Sequence, residues 1–286
     1  MASPRRAGTV VLRVVAVRHR RTVWRSHVAR VRVRAQAPRP GAAPSAPDPC
    51  AGYRFCDEFN GAGLDTSKWI AVNSHADRSN SEPGCYTSHN VSEGSGVLTE
   101  TIEHRAFTCP DATGSNDYPT GAIQMKSFSF TYGTVDVRAK VAGCGGCWPA
   151  IWMLGSECQS PAWLVNGNDP ATCHWPDAGS QEIDVAEFLS SSFTAARNNL
   201  ITSAGTESEL TDRFADGSRN FHVYTLVWSP GSLVFKVDGT TQNTYSTAVP
   251  SSPMFLIINT SIGGNGGTID NATLPAQTQI DYVHVS

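Results

Sequence analysis

From residue 48 onward the chain is written in short apolar and alternating runs, among them "GTVDVRAKVA" (133–142), "FHVYTLVW" (221–228), "LVFKVDG" (233–239), "MFLIINTSI" (254–262) and "QIDYVHV" (279–285). A period of two sends successive side chains to opposite faces of a strand, so each such run has a face to bury against something else. Helical periodicity is almost absent. Gly, Pro, Asn and Ser punctuate the runs, and "WSPGS" between two of them is a hairpin signal. Many strands with turn signals and no strand–helix–strand rhythm predict an all-β fold, an antiparallel β-sandwich of jelly-roll type. The glycine-rich "GGNGG" (263–267) opens no helix, so a tight loop beside a ligand groove suits it better than a phosphate cradle.

The charge divides the chain in two. Residues 1–40 hold eleven Arg and no Asp, Glu or Lys, which leaves 11 basic against 25 acidic residues in the remainder. A Pro/Ala linker, "AQAPRPGAAPSAPDP", closes the basic part and is too poor in large apolar residues to pack. We therefore expect a basic disordered or targeting segment over 1–47 and one large β domain over 48–286. Charge alone would allow the arm to bind nucleic acid. No base-stacking aromatic set accompanies it, however, and the acidic domain behind it opposes phosphate, so no nucleic-acid partner is expected. No apolar run approaches the roughly 20 residues of a membrane span.

All eight cysteines lie between residues 50 and 173. An even number in such a chain points to disulfides and an oxidising, extracellular compartment. Pairing in sequence order is the expectation, with Cys158–Cys173 the firmest. Two rival readings are a redox motif at "CGGC" (144–147) and a zinc site using Cys173 and His174. The first lacks a thioredoxin-type strand–helix unit and the second lacks another C-x-x-C.

"EIDVAEFL" (182–189) crowds three carboxylates into six positions. Ile183, Val185 and Phe188 interleave with them, so the other face is buried and the strand is central. Like charges on one half-buried face cost stability unless chemistry requires them. A calcium site is the rival reading, but it would want carbonyl and Asn ligands on a loop. Two carboxyl groups flanking a glycosidic bond are the machinery of a glycosidase. Glu182 and Glu187 share a face only if an extra residue bulges out at Val185 or Ala186, turning five chain steps into four ladder steps. Two glutamates so spaced, leaning inward, bring their carboxylates to roughly 5 Å, the separation of a retaining enzyme. Asp184 falls between them.

These residues resemble the E-x-D-x-x-E signature of glycoside hydrolase family 16, in the bulged form of its laminarinase-like endo-β-1,3-glucanases. "FCDEFNGAGLDTSKW" (55–69), "EPGCYTSHNVSEGSGVLTE" (82–100) and "GTVDVRAKVAGCGGCWPAIWMLG" (133–155) are similar to the family's blocks, and "VDG", "IINTSIGG" and "IDYVHV" follow in order. The resemblance implies a concanavalin A-like jelly roll with a concave substrate groove. It also implies retaining, endo-acting cleavage of a β-1,3-glucan, with Glu182 as nucleophile, Glu187 as acid/base and Asp184 assisting. Trp148 and Trp152, four apart on "CWPAIW", are candidate sugar platforms, and Glu82, Arg105 and Asn73 match groove positions. No cofactor is needed for the chemistry. A structural calcium, with carbonyls of Glu58 and Gly96 and the carboxylate of Asp281, is a further implication.

The chain departs from the family at Asn265, where a Trp is usual, at "NNLITSAG" (198–205), where a His is usual, and at Val227. The first two touch the groove. Three alternatives follow: a galactanase of agar or carrageenan type, a transglycosylase, and a non-catalytic β-glucan-binding protein. Retention of all three carboxylates argues against the last. The expected product of this sequence is a secreted, monomeric enzyme acting on a polysaccharide.

Overall fold

The computed structural model describes residues 9–12, 15–18, 21–25, 29–32, 48–110, 115–160, 171–189 and 192–286. The chain divides into two compact units, Met1–Asp48 and Pro49–Ser286. In the first, Thr9–Leu12 pairs antiparallel with Ala29–Arg32, and Val15–Arg18 with Arg21–Arg25. Parts of the basic arm are thus paired strand rather than the unstructured segment its composition implies, in keeping with the local valine–arginine alternation. The Pro/Ala linker and the targeting reading lie outside the described residues.

Fifteen strands build the two large sheets of the second unit. They are β1 (Phe55–Asp57), β2 (Trp69–Ala71), β3 (Val91–Gly94), β4 (Val97–Ile102), β5 (Ala122–Met125), β6 (Gly133–Lys140), β7 (Cys147–Gly155), β8 (Glu182–Glu187), β9 (Arg197–Thr202), β10 (Gly205–Leu210), β11 (His222–Ser229), β12 (Ser232–Val237), β13 (Thr240–Tyr245), β14 (Met254–Ile262) and β15 (Ala276–Val285). One sheet runs β10-β9-β8-β7-β14-β5-β2. The other runs β13-β12-β11-β6-β15-β4-β3, with β1 alongside β15. Neighbours in both sheets are antiparallel. The only helical elements among the described residues are three-residue 3₁₀ turns. The fold is the all-β antiparallel sandwich expected from the period-two runs, and the "WSPGS" hairpin joins β11 to β12.

The sheets share one core. Ile151, Met153, Ile183, Leu200, Leu256 and Ile258 of the first meet Val135, Val137, Leu226, Trp228, Phe235 and Val283 of the second. Burying each such side chain contributes about 1.5–3 kcal/mol, so the inner face can anchor β8 while its outer face carries charge. The cysteines pair in sequence order, Cys50–Cys56, Cys85–Cys109, Cys144–Cys147 and Cys158–Cys173, and none is free. The Cys158–Cys173 bond takes Cys173 out of the zinc reading, and Cys144 and Cys147 of the "CGGC" stretch are bonded to each other.

One carboxyl sits wholly inside the sandwich. Glu100 on β4 is inaccessible to solvent, and burial pushes its pKa well above the usual carboxylate range. Its Oε2 lies 2.9 Å from the Thr260 hydroxyl of β14, which in turn lies 2.7 Å from the Thr278 hydroxyl of β15. Thr278 accepts from the Ala142 N–H at 3.1 Å, so its hydrogen serves Thr260 and that of Thr260 serves Glu100, which ties the two sheets together while burial keeps a proton on Glu100. The folded state holds that proton where the unfolded chain has released it, so stability falls as pH rises from the unfolded carboxylate pKa through the folded one. Glu100→Gln, which supplies a donor without a titration, should lose less melting temperature between pH 5 and pH 8 than the wild type. An identical decline in both proteins, followed by calorimetry, would remove Glu100 as a source of it.

Candidate active site

β8 lies between β7 and β9, and its register breaks once. Ile151 of β7 faces Ala186 and the next residue, Trp152, faces Asp184, so Val185 has no partner and is the bulged residue. From Glu182 opposite Leu154 to Glu187 opposite Ala150, five chain steps cover four on β7. Val185 and Ala186 both turn into the core. Glu182, Asp184 and Glu187 consequently all line one cavity, of about 730 Å³, on the outer face of the seven-stranded sheet. A bulge frees backbone polar groups. Here the Asn198 amide of β9 donates to the Val185 carbonyl at 2.6 Å.

Each acid has a fixed donor. Trp148 Nε1 donates to Glu187 Oε1 at 2.7 Å, and Asn199 Nδ2 donates to Glu187 Oε2 at 2.9 Å and to Asp184 Oδ2 at 2.7 Å. Trp175 Nε1 donates to Glu182 Oε2 at 2.8 Å. Burial pushes the Glu182 pKa up to about 7, with Glu187 adding repulsion, while Trp175 and Asp184 act the other way. Burial also drives Asp184 well above the usual range, followed by the charges of Glu182 and Glu187. The hydrogen bond between Asp184 and Glu182 raises the first and lowers the second. Asp184 is therefore the group that keeps a proton, donating it to Glu182.

The rest of the floor is a second hydrogen-bonded chain. Trp152 Nε1 donates to Asn259 Oδ1 at 2.7 Å, Asn259 Nδ2 to Tyr86 Oη at 3.1 Å, and Tyr86 Oη to Glu82 Oε2 at 3.4 Å. Ser261 also donates to Glu82. Burial lifts Glu82 to a pKa of about 7. The "GGNGG" loop borders the cavity through Asn265. Gly264 there has φ +52°, and a Cβ on it would lie 2.5 Å from the Asn80 carbonyl and 2.8 Å from Trp148 Cζ3, so the loop packs against the indole that holds Glu187.

A profile described as "Glycosyl hydrolases family 16" matches residues 86–284. The chain belongs to that family. It is 32% identical over 250 residues to a keratan-sulfate endo-1,4-beta-galactosidase of Sphingobacterium multivorum, covering 81% of this chain and 54% of that protein. It is 33% identical over 272 residues to glucan endo-1,3-beta-glucosidase A1 of Niallia circulans, covering 80% and 37%. The chain thus spans about half or less of those two relatives. Among solved structures, the laminarinase from Rhodothermus marinus superposes with a TM-score of 0.69 at 26% identity, over 82% of this chain and 96% of that one.

Not every residue transferred by resemblance reaches the family 16 groove. Glu82, Trp148 and Trp152 line it, but Trp148 is almost buried and spends its N–H on Glu187. Arg105 is absent from the lining; it pairs with Glu103 two residues away at 3.1 Å and stacks over Phe107. Asn73 is absent too. Its amide donates to the Ala71 carbonyl at 3.1 Å and its oxygen accepts from the Ser88 N–H at 2.9 Å, the work of a turn residue. Of the expected calcium set, the Asp281 carboxylate is paired with the Arg138 guanidinium at 2.5 Å. Glu58 is bonded to His284 at 2.6 Å. The one cluster of three metal-capable side chains among the described residues is Cys50, Cys56 and Glu58, and its two cysteines form a disulfide.

Trp175, Asn199, Tyr86 and Ser261 were not singled out by the sequence. Trp175 follows Cys173 closely, and the Cys158–Cys173 disulfide, the firmest expected pair, is the one signal that this loop returns to the sheet. The bulge itself yields a test. Asn198→Ala leaves the Val185 carbonyl buried without its donor and should cost about 1–3 kcal/mol of stability, with kcat falling more than KM changes. Denaturant titration with steady-state kinetics reads both, and an unchanged midpoint would show that Asn198 does not support the bulge.

Proposed function

We propose that this protein is a retaining endo-β-1,3-glucanase that works by double displacement. The observation that carries the reading is the bulge at Val185, which gathers Glu182, Asp184 and Glu187 on one cavity wall. Ionised Glu182 attacks the anomeric carbon as the bond to the leaving oxygen breaks, and that oxygen takes a proton from Glu187. Water then attacks the glycosyl ester, Glu187 takes its proton, and Glu182 is released as carboxylate. Asp184 hydrogen-bonds Glu182 and steadies its charge. All three acids come from one chain, so the chemistry requires no second copy.

Two relatives' names pull the substrate in different directions, one to a sulfated galactan and one to a β-1,3-glucan. Charge supports the second. Among the described residues Asp77, Glu82, Glu182, Asp184 and Glu187 line the cavity with a single base, Arg197, so even with Asp184 and Glu187 protonated the wall offers a sulfate ester one cation and at least as much negative charge. A neutral glucan meets no such penalty. Four disulfides support an oxidising compartment, and secretion would bring the enzyme to a polymer too large to enter a cell. Among the described residues no helix is long and apolar enough to cross a membrane.

The full chain incubated with laminarin, lichenan, agarose, carrageenan and keratan sulfate should release oligosaccharides from laminarin. Cleavage of a galactan with laminarin left intact would overturn the substrate. Glu182→Gln should lose at least ~10³-fold in kcat, and product at the wild-type rate would overturn the mechanism. Because Glu182 must be ionised to attack and has a pKa of about 7, kcat/KM for laminarin should decline as pH falls below neutrality. A profile flat from pH 5 to pH 8 would contradict that assignment.

A further inference from the structure

Asn199 stands between two of the three acids, and its orientation is imposed from outside. Its single Nδ2 sends one hydrogen to Asp184 Oδ2 at 2.7 Å and the other to Glu187 Oε2 at 2.9 Å. An Asn side chain turned over would aim its oxygen at the same two carboxyl groups. Ser208 on β10 prevents this. Its hydroxyl accepts from Arg197 Nη1 at 3.0 Å and so keeps its one hydrogen for Asn199 Oδ1, at 2.6 Å. The relay runs from the edge of the sheet, across β9, to the acids on β8. Trp148 holds the other oxygen of Glu187 from β7, so Glu187 is gripped by both neighbouring strands and Asp184 moves with it.

We propose that Asn199, oriented through Ser208 by Arg197, is a positioning residue that locks Asp184 and Glu187 together and aims Glu187 at the leaving oxygen. The inference rests on the glycosidase reading of the site. Without the relay, Glu187 would hang from Trp148 alone, and its proton would be delivered from a wider range of angles. The charged groups facing Asp184 and Glu187 are Glu182 on β8 and Arg197 on β9. β7 brings Trp148 and Trp152 to the cavity, and β10 brings Thr206 and Ser208, none of them charged.

The test assays the full chain carrying Ser208→Ala, Ser208→Thr or Asn199→Ala on the glucan that the wild type cuts, over pH 5 to 9. Ser208 is exposed on an edge strand, so its variants keep the fold even if Asn199→Ala does not. Ser208→Ala should lower kcat about tenfold and Asn199→Ala about a hundredfold, with KM within about threefold of wild type. The acidic limb of kcat/KM, which Glu182 sets, should move to lower pH, since without Asn199 the proton on Asp184 is held more firmly and donated to Glu182. Threonine, which keeps the hydroxyl, should recover most of the serine activity. A Ser208→Ala enzyme with unchanged kcat, a loss confined to KM, or a fall in kcat with an unmoved pH limb and no threonine rescue would each overturn the proposal. A wild type inactive on every polymer would sink the glycosidase reading and this inference with it.

Discussion

Three carboxyl groups on one face of one strand cannot all be charged in a site this dry, and the rest of the site follows from that constraint. At ordinary carboxylate pKa values the cluster would carry three negative charges, with no cation hydrogen-bonded to any of them among the described residues. Burial and mutual repulsion leave a proton on Asp184, and that proton becomes a hydrogen bond to Glu182. The remaining charge is met by neutral N–H donors from Trp148, Trp175 and Asn199 rather than by a base. Neutral donors hold a carboxyl in place through a change of protonation. An arginine or lysine in the same place would favour one charge state and hinder a group that must give up a proton and take it back.

The bulge is the mechanical counterpart of this electrostatic arrangement. A regular strand would have sent Glu187 into the core, where Ile183, Val185 and Ala186 belong. The additional residue resolves the conflict by burying Val185 and Ala186 in succession, and the exposed backbone is repaired from β9 by Asn198. Adjacent asparagines of one strand therefore serve the two faces of the sheet: Asn198 secures the bulge from the core side and Asn199 secures the acids from the cavity side. This division follows from strand alternation alone.

Much of this architecture is legible in local sequence pattern. Alternation marks the strands, the 2-then-3 spacing of Glu182, Asp184 and Glu187 marks the bulge, and pairing in chain order matches the disulfides. What local pattern hides is carried by pairs distant in sequence. Trp152 and Asn259 are 107 residues apart and Tyr86 and Asn259 are 173 apart, and nothing in either neighbourhood announces the other. Arg105 and Asn73, which do not line the cavity, show the reverse. Their polar atoms are taken up by Glu103, Ala71 and Ser88, contacts that similarity of blocks does not reveal. The partner of Asp281, Arg138, likewise lies 143 residues away.

The floor of the cavity divides its labour. From Trp152 through Asn259 and Tyr86 to Glu82, donors and acceptors are paired with one another. A sugar lying there gains little by hydrogen-bonding to groups already satisfied, because it would have to break one bond to make another. What this floor offers instead is rigidity and the half-buried indole of Trp152, a flat apolar surface suited to the C–H face of a pyranose. Recognition of hydroxyl groups then falls to the margin, where Asp77, Ser79, Asn80 and Asn265 line the opening. Asn265 stands where laminarinase-like relatives usually carry a tryptophan. On the proposed function, exchanging a ring for an amide at that margin trades stacking for hydrogen bonding and would change which sugar hydroxyls are read without touching Glu182, Asp184 or Glu187.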